Sequence, residues 1–462
     1  MKNNQKLPAS FRDPSGFLFF QEDILYRQVN LVYQENFDRL VESGLYEHLV
    51  NSGKLISHKE TELPPPEPET AYKVIQPKQL SFISYPYEWS FSQLKDAALL
   101  TLGIQKRALQ HGMSLKDSSA YNVQFPPEDA KPVLIDTLSF EVYQEGSPWV
   151  AYRQFCQHFL APLTLMCFTD ERLSQLLRVY IDGIPLDLAG SILPRRTKFN
   201  FGLLTHIHLH AAAQKRYAAE DVGKAVQTRT MSKTSLLGLI DSLERTTQKL
   251  EWVPASTEWV DYYEDTNYTP QATKHKKELV ESCIDQVKPQ MVWDLGGNVG
   301  VFSRLASQKG IPTIAFDIDT AAVEKNYLDI KANEESHLLP LVLDLTNPSP
   351  DIGWHNLERR SLPSRSTPDL IMALALVHHL AISNNVPLKM IAEYFSSLAP
   401  WLIIEFIPKS DSQVQRLLAT REDIFPNYSF DGLEEAFGNY YKVAASEDIK
   451  DSQRRMYLMK KK

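Results

Sequence analysis

Three cysteines in 462 residues, Cys156, Cys167 and Cys283, are too few and too scattered for a disulfide framework or a cysteine zinc site. Long hydrophobic runs are missing as well. The longest clearly apolar stretch, Phe159 to Phe168, is broken by Pro162 and falls short of the about 20 residues that a membrane span needs. The opening residues, Met1 to Phe11, lack the apolar centre of a secretory leader, so a cytoplasmic protein is expected. A basic excess is also absent: 57 acidic residues against 49 basic ones leave a net charge of -8. Nothing therefore points to a nucleic-acid partner. The two basic spots, Lys460 to Lys462 and Arg195, Arg196 and Lys198, read as a solvated terminus and a loop edge. What is present is ordinary globular material, 43% hydrophobic and 23% charged, long enough for two or three domains.

The chain has no internal repeat. Gly16 to Phe20 and Ile24 to Val29 read as two strands joined by a short polar turn, followed by a helix carrying Phe37, Leu40, Val41 and Leu45 at helical spacing. Pro64, Pro65, Pro66 and Pro68 then impose a stiff extended loop. Two short apolar runs follow (Tyr72 to Ile75, Leu80 to Tyr85), then a helix over about Gln93 to Gln110 and a mostly helical stretch from Trp149 to about Ala219. From Met291 the rhythm changes. Short β runs at Met291–Trp293, Thr313–Phe316, Leu339–Leu343, Leu370–Met372 and Trp401–Phe406 alternate with helical stretches of about a dozen residues. That alternation predicts parallel strands with crossover helices, a doubly wound α/β sheet, with Tyr440–Ala444 and Met456–Met459 as an antiparallel hairpin at its edge. The expected organisation is an α+β domain over 1–230, a helical lead-in over 231–285, and an α/β domain over 286–462.

The sharpest motif is Val292-Trp293-Asp294-Leu295-Gly296-Gly297-Asn298-Val299-Gly300-Val301-Phe302: an apolar strand ending in an acid, a glycine turn, and the start of a helix. Glycines there let a ligand approach the backbone at the carboxyl end of the strands. The next strand ends in Phe316-Asp317-Ile318-Asp319, where a carboxylate can accept from both hydroxyls of a ribose. The third ends in Leu343-Asp344, where an acid can reach an exocyclic amine of adenine. A nicotinamide or flavin domain would instead want Gly-x-Gly-x-x-Gly at the turn.

This set resembles the class I S-adenosylmethionine (SAM) methyltransferases, with Asn298 where many members have the middle glycine. Their likeness implies a seven-stranded Rossmann-like sheet and cofactor contacts from Asp294, Gly296, Gly297, Asn298, Gly300, Phe302, Asp317, Ile318, Asp344 and Leu345. It also implies that Ala375-Leu376-Val377-His378-His379-Leu380, after the fourth strand, lines the methyl-transfer pocket. There His379 or His378 is a candidate general base for a hydroxyl acceptor, or else simply part of the wall. Glu405, closing the fifth strand, either orients the acceptor or caps the helix near Asp411. The turn-rich insertion from Asp344 to about Pro368 is expected to fold over the cofactor, and Tyr268, Thr273 and Lys277 to border its pocket.

A second set lies in the first half. Asp117, a four-residue spacer and Asn122, then a β run, then Asp136 after Val133-Leu134-Ile135, resembles the catalytic loop and metal-binding acid of protein-kinase-like phosphotransferases. In that family Asp117 would position an acceptor hydroxyl, while Asn122 and Asp136 would hold magnesium with ATP. The sequence departs from the pattern: Thr137-Leu138 follows the acid in place of Phe-Gly, the glycine-rich lid is reduced to Gly16, and Arg27 is the nearest cation to the expected lysine, with Glu35 or Glu42 as its expected partner. The alternative is an accessory domain that binds the methyl acceptor, with these acids as helix caps. His206 and His210 share a helical face, but no third metal ligand stands near them. The aromatics of Tyr85 to Trp89 suit either sugar stacking or a domain core.

Over most of its length, through Phe11-Arg12-Asp13-Pro14-Ser15-Gly16-Phe17, Leu115-Lys116-Asp117 to Asn122, and the glycine turn, the chain resembles bacterial methyltransferases related to rhizobial host-specific nodulation proteins. Looser analogy links it to bifunctional kinase–methyltransferases that cap bacterial polysaccharides. The expected activity is SAM-dependent methylation of a small-molecule or glycan acceptor. The alternatives are a bifunctional enzyme that also transfers phosphate from ATP, and a non-catalytic nucleotide-binding scaffold.

Overall fold

A computed structural model describes residues 5–212, 230–254, 268–419 and 422–462. The chain divides into two units. Unit 1 holds residues 1–125, 131–253 and 351–360; unit 2 holds 126–130, 254–350 and 361–462. Of the stretch expected as a lead-in, the helix Lys233–Gln248 belongs to unit 1 and the helix Pro270–Val287 to unit 2. Among the described residues no helix is long and apolar enough to cross a membrane.

Unit 1 opens with a five-stranded antiparallel sheet of β1 (Gln5–Lys6), β2 (Gly16–Gln21), β3 (Ile24–Asn30), β4 (His58–Thr61) and β5 (Ala71–Pro77), in the order β1-β2-β3-β5-β4. Alternation in β2 sends Phe17 and Phe19 inward beside Val74 of β5. Gly16 faces Val29 across the β2–β3 ladder, and a Cβ there would stand 2.1 Å from the Gln28 carbonyl oxygen. Only a residue without a side chain permits that pairing. The helical pattern at Phe37 to Leu45 becomes two helices, Gln34–Glu42 and Leu45–Asn51, broken at Gly44, whose φ of 74° is left-handed.

The long helix Phe91–Gln110 begins at a reciprocal cap: Gln93 Oε1 accepts from the Ser90 backbone N–H at 2.9 Å while the Ser90 hydroxyl accepts from Gln93 N–H. Its Leu94, Ala97, Ala98, Leu102, Gln105, Ala108 and Leu109 are buried. Two small pairings follow, β6 (Met113–Leu115) with β9 (Phe140–Val142), and β7 (Val123–Gln124) with β8 (Val133–Leu134). Leu80 to Tyr85 is not a strand. Its neighbours Tyr85, Tyr87 and Trp89 are core rather than a sugar platform: Trp89 meets Phe125 edge-on at 5.1 Å and donates its indole N–H to Ser84 Oγ. Helical turns then dominate as far as residue 212, including Ala161–Phe168 and Leu186–Ile192; residues 213–219 of that expected stretch lie outside the described ones.

Unit 2 is a seven-stranded sheet of β10 (Val292–Leu295), β11 (Thr313–Asp317), β12 (Leu338–Val342), β13 (Leu370–Ala373), β14 (Trp401–Phe406), β15 (Tyr441–Asp448) and β16 (Arg455–Lys461). Their order is β12-β11-β10-β13-β14-β16-β15; the first five run parallel and β16 is antiparallel to both its neighbours. The strand order reverses between β10 and β13, and open α/β sheets leave a crevice at such a point. Crossovers on both faces include Thr320–Ala332 and Leu388–Leu398. Two depart from the expected dozen-residue helices. The helix after β10 spans only Ser303–Ser307. Between β12 and β13, prolines 348, 350, 363 and 368 leave only two short turns, Trp354–Asn356 and Leu362–Arg365.

Residues 351–360, inside the insertion expected to cover the cofactor, belong instead to unit 1. Arg12 forks onto Glu358 with bonds of 3.0 and 2.9 Å, Arg360 N–H donates to Tyr85 Oη, and the Arg359 guanidinium lies 4.4 Å from the Tyr121 ring centre. Burial alone would raise the Glu358 carboxyl, but its hydrogen bond to Arg12 brings it below the ordinary range.

Replacing Gly16 by Ala is expected to lower the stability of unit 1 by about 2 kcal/mol. A drop in the denaturant midpoint at unchanged m value is the measurement that checks it.

Candidate active site

The turn after β10 is built to hold carboxylates. Gly296 and Gly297 N–H both donate to the Phe316 carbonyl at the end of β11, at 2.8 and 2.9 Å. This folds the backbone across the strand ends, with positive φ at Gly296 (78°), Asn298 (49°) and Gly300 (78°). Asn is the side chain that best tolerates that region after Gly, so Asn298 replaces a glycine without breaking the turn. Asn298 N–H in turn donates to Asp317 Oδ2 at 2.8 Å, and Asp319 N–H to Asp317 Oδ1 at 2.9 Å. Asp294 accepts from Ser303 Oγ at 2.6 Å, and Asp344 accepts from Thr346 N–H and Oγ1.

These ends surround a cavity of about 580 Å³. Asp294, Gly296, Gly297, Asn298, Phe302, Asp317, Ile318, Asp344, Leu345 and His379 line it, as do Tyr268, Thr273 and Lys277. Gly300 is not on the wall but closes the turn behind it, where a Cβ would stand 2.6 Å from Asn326 Nδ2. His378 and Glu405 are buried beneath the wall. Burial raises the Asp294 and Asp317 carboxyls to about 6, because each bears its charge away from water. Burial pushes His379 down to about 4, and His378, whose ring centre is 4.0 Å away, well below its usual value. Both imidazoles are therefore uncharged at neutral pH.

The sequence reading missed Lys276. It lies on the row Ala272–Lys276–Val280–Ile284 of the helix Pro270–Val287, every fourth residue turned to the core, and that spacing was the available signal. Lys276 lines the cavity, and its ammonium stands 2.7 Å from Glu405 and 4.3 Å from the Phe302 ring centre. Burial lowers Lys276, against the pull of Glu405. Glu405 is wholly enclosed; burial would raise it, but Lys276 and Arg454 together hold it below the carboxylate range. Arg454 lies 3.6 Å from Glu405 and 2.8 Å from Asp411, and the Tyr268 hydroxyl donates to Glu405. The helix Ser412–Leu418 is capped by Asp411 itself, so Glu405 is no cap.

In unit 1, Asp117, Asn122 and Asp136 come together. Asn122 bonds Asp117 and donates to Ser139 Oγ, which donates to Asp136 at 2.9 Å. Arg27 pairs not with Glu35 or Glu42 but with Asp136, and lies 3.7 Å from Asp13. Burial would raise Asp136, yet the guanidinium brings it below its ordinary value; Asp117, with Asp136 nearby, is raised by burial. Elsewhere, His206 bonds Tyr152 and Ser242, His208 bonds Thr197, and His210 stacks on Tyr152 at 5.1 Å. Among the described residues no three His, Cys, Asp or Glu side chains are grouped to hold a metal.

No family model matches the chain. The nodulation protein NoeA of Rhizobium meliloti (strain 1021) is 34% identical over 466 residues, covering 99% of this chain and 96% of that protein. The chain belongs to the NoeA family of nodulation proteins. Membership spans both units, from the Phe11–Phe17 segment to the edge hairpin. Among solved structures, the N-methyltransferase NodS from Bradyrhizobium japonicum WM9 is similar at 8% identity (42% of this chain, 97% of that one, TM-score 0.30). A magnesium protoporphyrin IX methyltransferase from Synechocystis PCC 6803 with bound SAH is similar at 16% (44% and 93%, TM-score 0.31). The bifunctional kinase–methyltransferase WbdD is similar at 15% (43% and 41%, TM-score 0.32).

Replacing Glu405 by Leu leaves Lys276 and Arg454 buried around no carboxylate. A loss of about 3 kcal/mol in equilibrium unfolding is expected, and Lys276→Met in the same background should recover part of it.

Proposed function

We propose that this NoeA-family chain is a SAM-dependent methyltransferase acting on a hydroxyl of a small molecule or glycan. The observation that carries the proposal is the trio Asp294, Asp317 and Asp344, closing three adjacent parallel strands around one cavity. The residues fit the cofactor. Asp317 spends two acceptor sites on backbone N–H groups and, as a carboxylate, keeps capacity for ribose hydroxyls. Ile318, 63% exposed, and Leu345 offer apolar surface for an adenine ring. Asp294 offers a negative partner for the cofactor's ammonium, and Lys276 a positive one for its carboxylate. SAM brings a methyl group already activated on a sulfonium, so little other chemistry is asked of the protein.

The chain's own residues position the acceptor and manage its proton. His379, uncharged and on the cavity wall, is in the state that accepts a proton from a hydroxyl. His378, enclosed behind it, acts as a positioning residue. Tyr268 and Lys277 border the same space.

Unit 1 we read as the acceptor-binding half rather than as a phosphotransferase. Its Asp117–Asn122–Asp136 grouping resembles a kinase-like site, which keeps ATP and magnesium as the second reading. However, the Asp136 carboxylate that would hold the metal is engaged by Arg27, so these residues fit a divalent cation poorly as arranged.

Titration calorimetry is the direct test. SAM is expected to bind, and Asp317→Ala to weaken it about 100-fold through two lost charge-assisted bonds; ATP with magnesium is expected to give no heat. Unaltered SAM affinity in Asp317→Ala would defeat the proposal, and ATP heat lost in Asp136→Ala would favour the second reading.

Affinity for SAM is also expected to depend on pH. Asp294 and Asp317, raised to about 6, are ionised at pH 7.5 and protonated at pH 5. Binding that needs the ionised forms should be level above about pH 7 and weaken by about tenfold per pH unit per group below 6. Kd measured across that range checks the sign.

A further inference from the structure

Pro194-Arg195-Arg196-Thr197-Lys198-Phe199-Asn200-Phe201 gathers three cations and two phenyl rings at one edge of unit 1. As a sequence it reads as a basic loop edge; the structure adds where the rings stand. Phe199 is 92% exposed, the most of any large hydrophobic side chain among the described residues, and Phe201 is 78% exposed. Arg195, Arg196 and Lys198 are exposed beside them. A single exposed apolar residue needs no explanation, but two exposed rings within three positions, next to three exposed cations of which Arg196 lies 5.9 Å from the Phe168 ring centre, put apolar surface and positive charge on one short segment.

The backbone behind that point is held in place. Thr197, buried between the cations, donates its N–H and hydroxyl to the Pro194 carbonyl at 3.0 and 2.8 Å, and its hydroxyl is bonded to His208 Nε2 at 2.8 Å. Asn200 N–H bonds the Thr197 carbonyl, and Asn200 Oδ1 caps the following turn by accepting from Leu203 N–H. Gly202 lies so close to Thr246 of the helix Lys233–Gln248 that a Cβ would stand 2.1 Å from its Oγ1. With Leu193, Thr197, Gly202 and Leu203 turned inward, the intervening cations and rings are forced outward. The rings are thus presented on a backbone that is already fixed, which lowers the ordering cost of contact.

We propose that this edge docks unit 1 on an anionic lipid bilayer, with Phe199 and Phe201 entering the interface and Arg195, Arg196 and Lys198 meeting headgroup phosphates. Charge complementarity selects the partner. A chain of net charge -8 is repelled by an anionic surface as a whole, so attraction must come from a local cationic patch. A nucleic-acid duplex would also meet the cations but, with its bases paired and stacked, offers the two rings no partner. A bilayer interface takes up both, as it does with amphipathic peripheral anchors. This surface role is independent of methyl transfer.

Sedimentation of the full chain with vesicles tests it. Co-sedimentation is expected with phosphatidylcholine vesicles containing phosphatidylserine and not with phosphatidylcholine alone, declining as salt rises. Each of Arg195→Glu, Arg196→Glu and Lys198→Glu should weaken partition by about fivefold or more. Phe199→Ser with Phe201→Ser should weaken it about tenfold at unchanged melting temperature, and Trp at the two positions should restore it. No binding to anionic vesicles would overturn the proposal, as would equal binding by the double Ser variant. So would retention on duplex DNA that depends on the cations and ignores the rings.

Discussion

Beneath the cavity, one carboxylate is enclosed among two cations and a phenol, and much of unit 2 converges on it. Glu405 closes β14, Lys276 comes from the helix that precedes β10, and Arg454 immediately precedes β16. A buried anion in such a place is tolerable only while every partner stays put. The network therefore ties the lead-in helix, the centre of the sheet and the edge hairpin to one another beside the cavity. It also places Lys276 on the wall of a space whose strand ends carry the acids Asp294, Asp317 and Asp344. The cavity wall thus carries both signs of charge.

The Phe11–Phe17 segment gains a physical meaning in unit 1. Arg12 clamps Glu358, Asp13 stands between Arg27 and Lys116, Ser15 accepts from Lys116, and Gly16 allows β2 to meet β3. Four positions within five residues thereby set both the opening sheet and the surroundings of Asp136. The same pairing that stabilises Asp136 occupies it. The residues that resemble a phosphotransferase site by type thus adjoin an ion-pair cluster of Arg27, Asp13, Lys116 and Asp136.

The α/β half was legible because its signals are local. Short apolar runs at regular intervals, acids at three successive strand ends and a glycine turn with a left-handed asparagine all belong to the chain within a few residues, and the seven-stranded sheet follows that reading. Most of the wall residues named from those motifs do face the cavity. Glu405 stood out as polar at a strand end, but its partners lie about 130 residues before it and about 50 after it, at no spacing that a motif could carry. Lys276 was hidden in a run of basic residues, and only its place in the row with Ala272, Val280 and Ile284 marked it as inward.

Period and turn chemistry by themselves determined the α/β class of the second half, its glycine-cradled acids and the antiparallel edge. These depend on backbone preferences that act over a few residues. Only the tertiary structure decided that Arg27 answers Asp136, that residues 351–360 side with the first unit, that Tyr85 to Trp89 are core, and that Phe199 and Phe201 stand in water. Each is a matter of which distant groups share a burial site. The free energy of a buried charge or an exposed ring is set by neighbours that chain order does not specify.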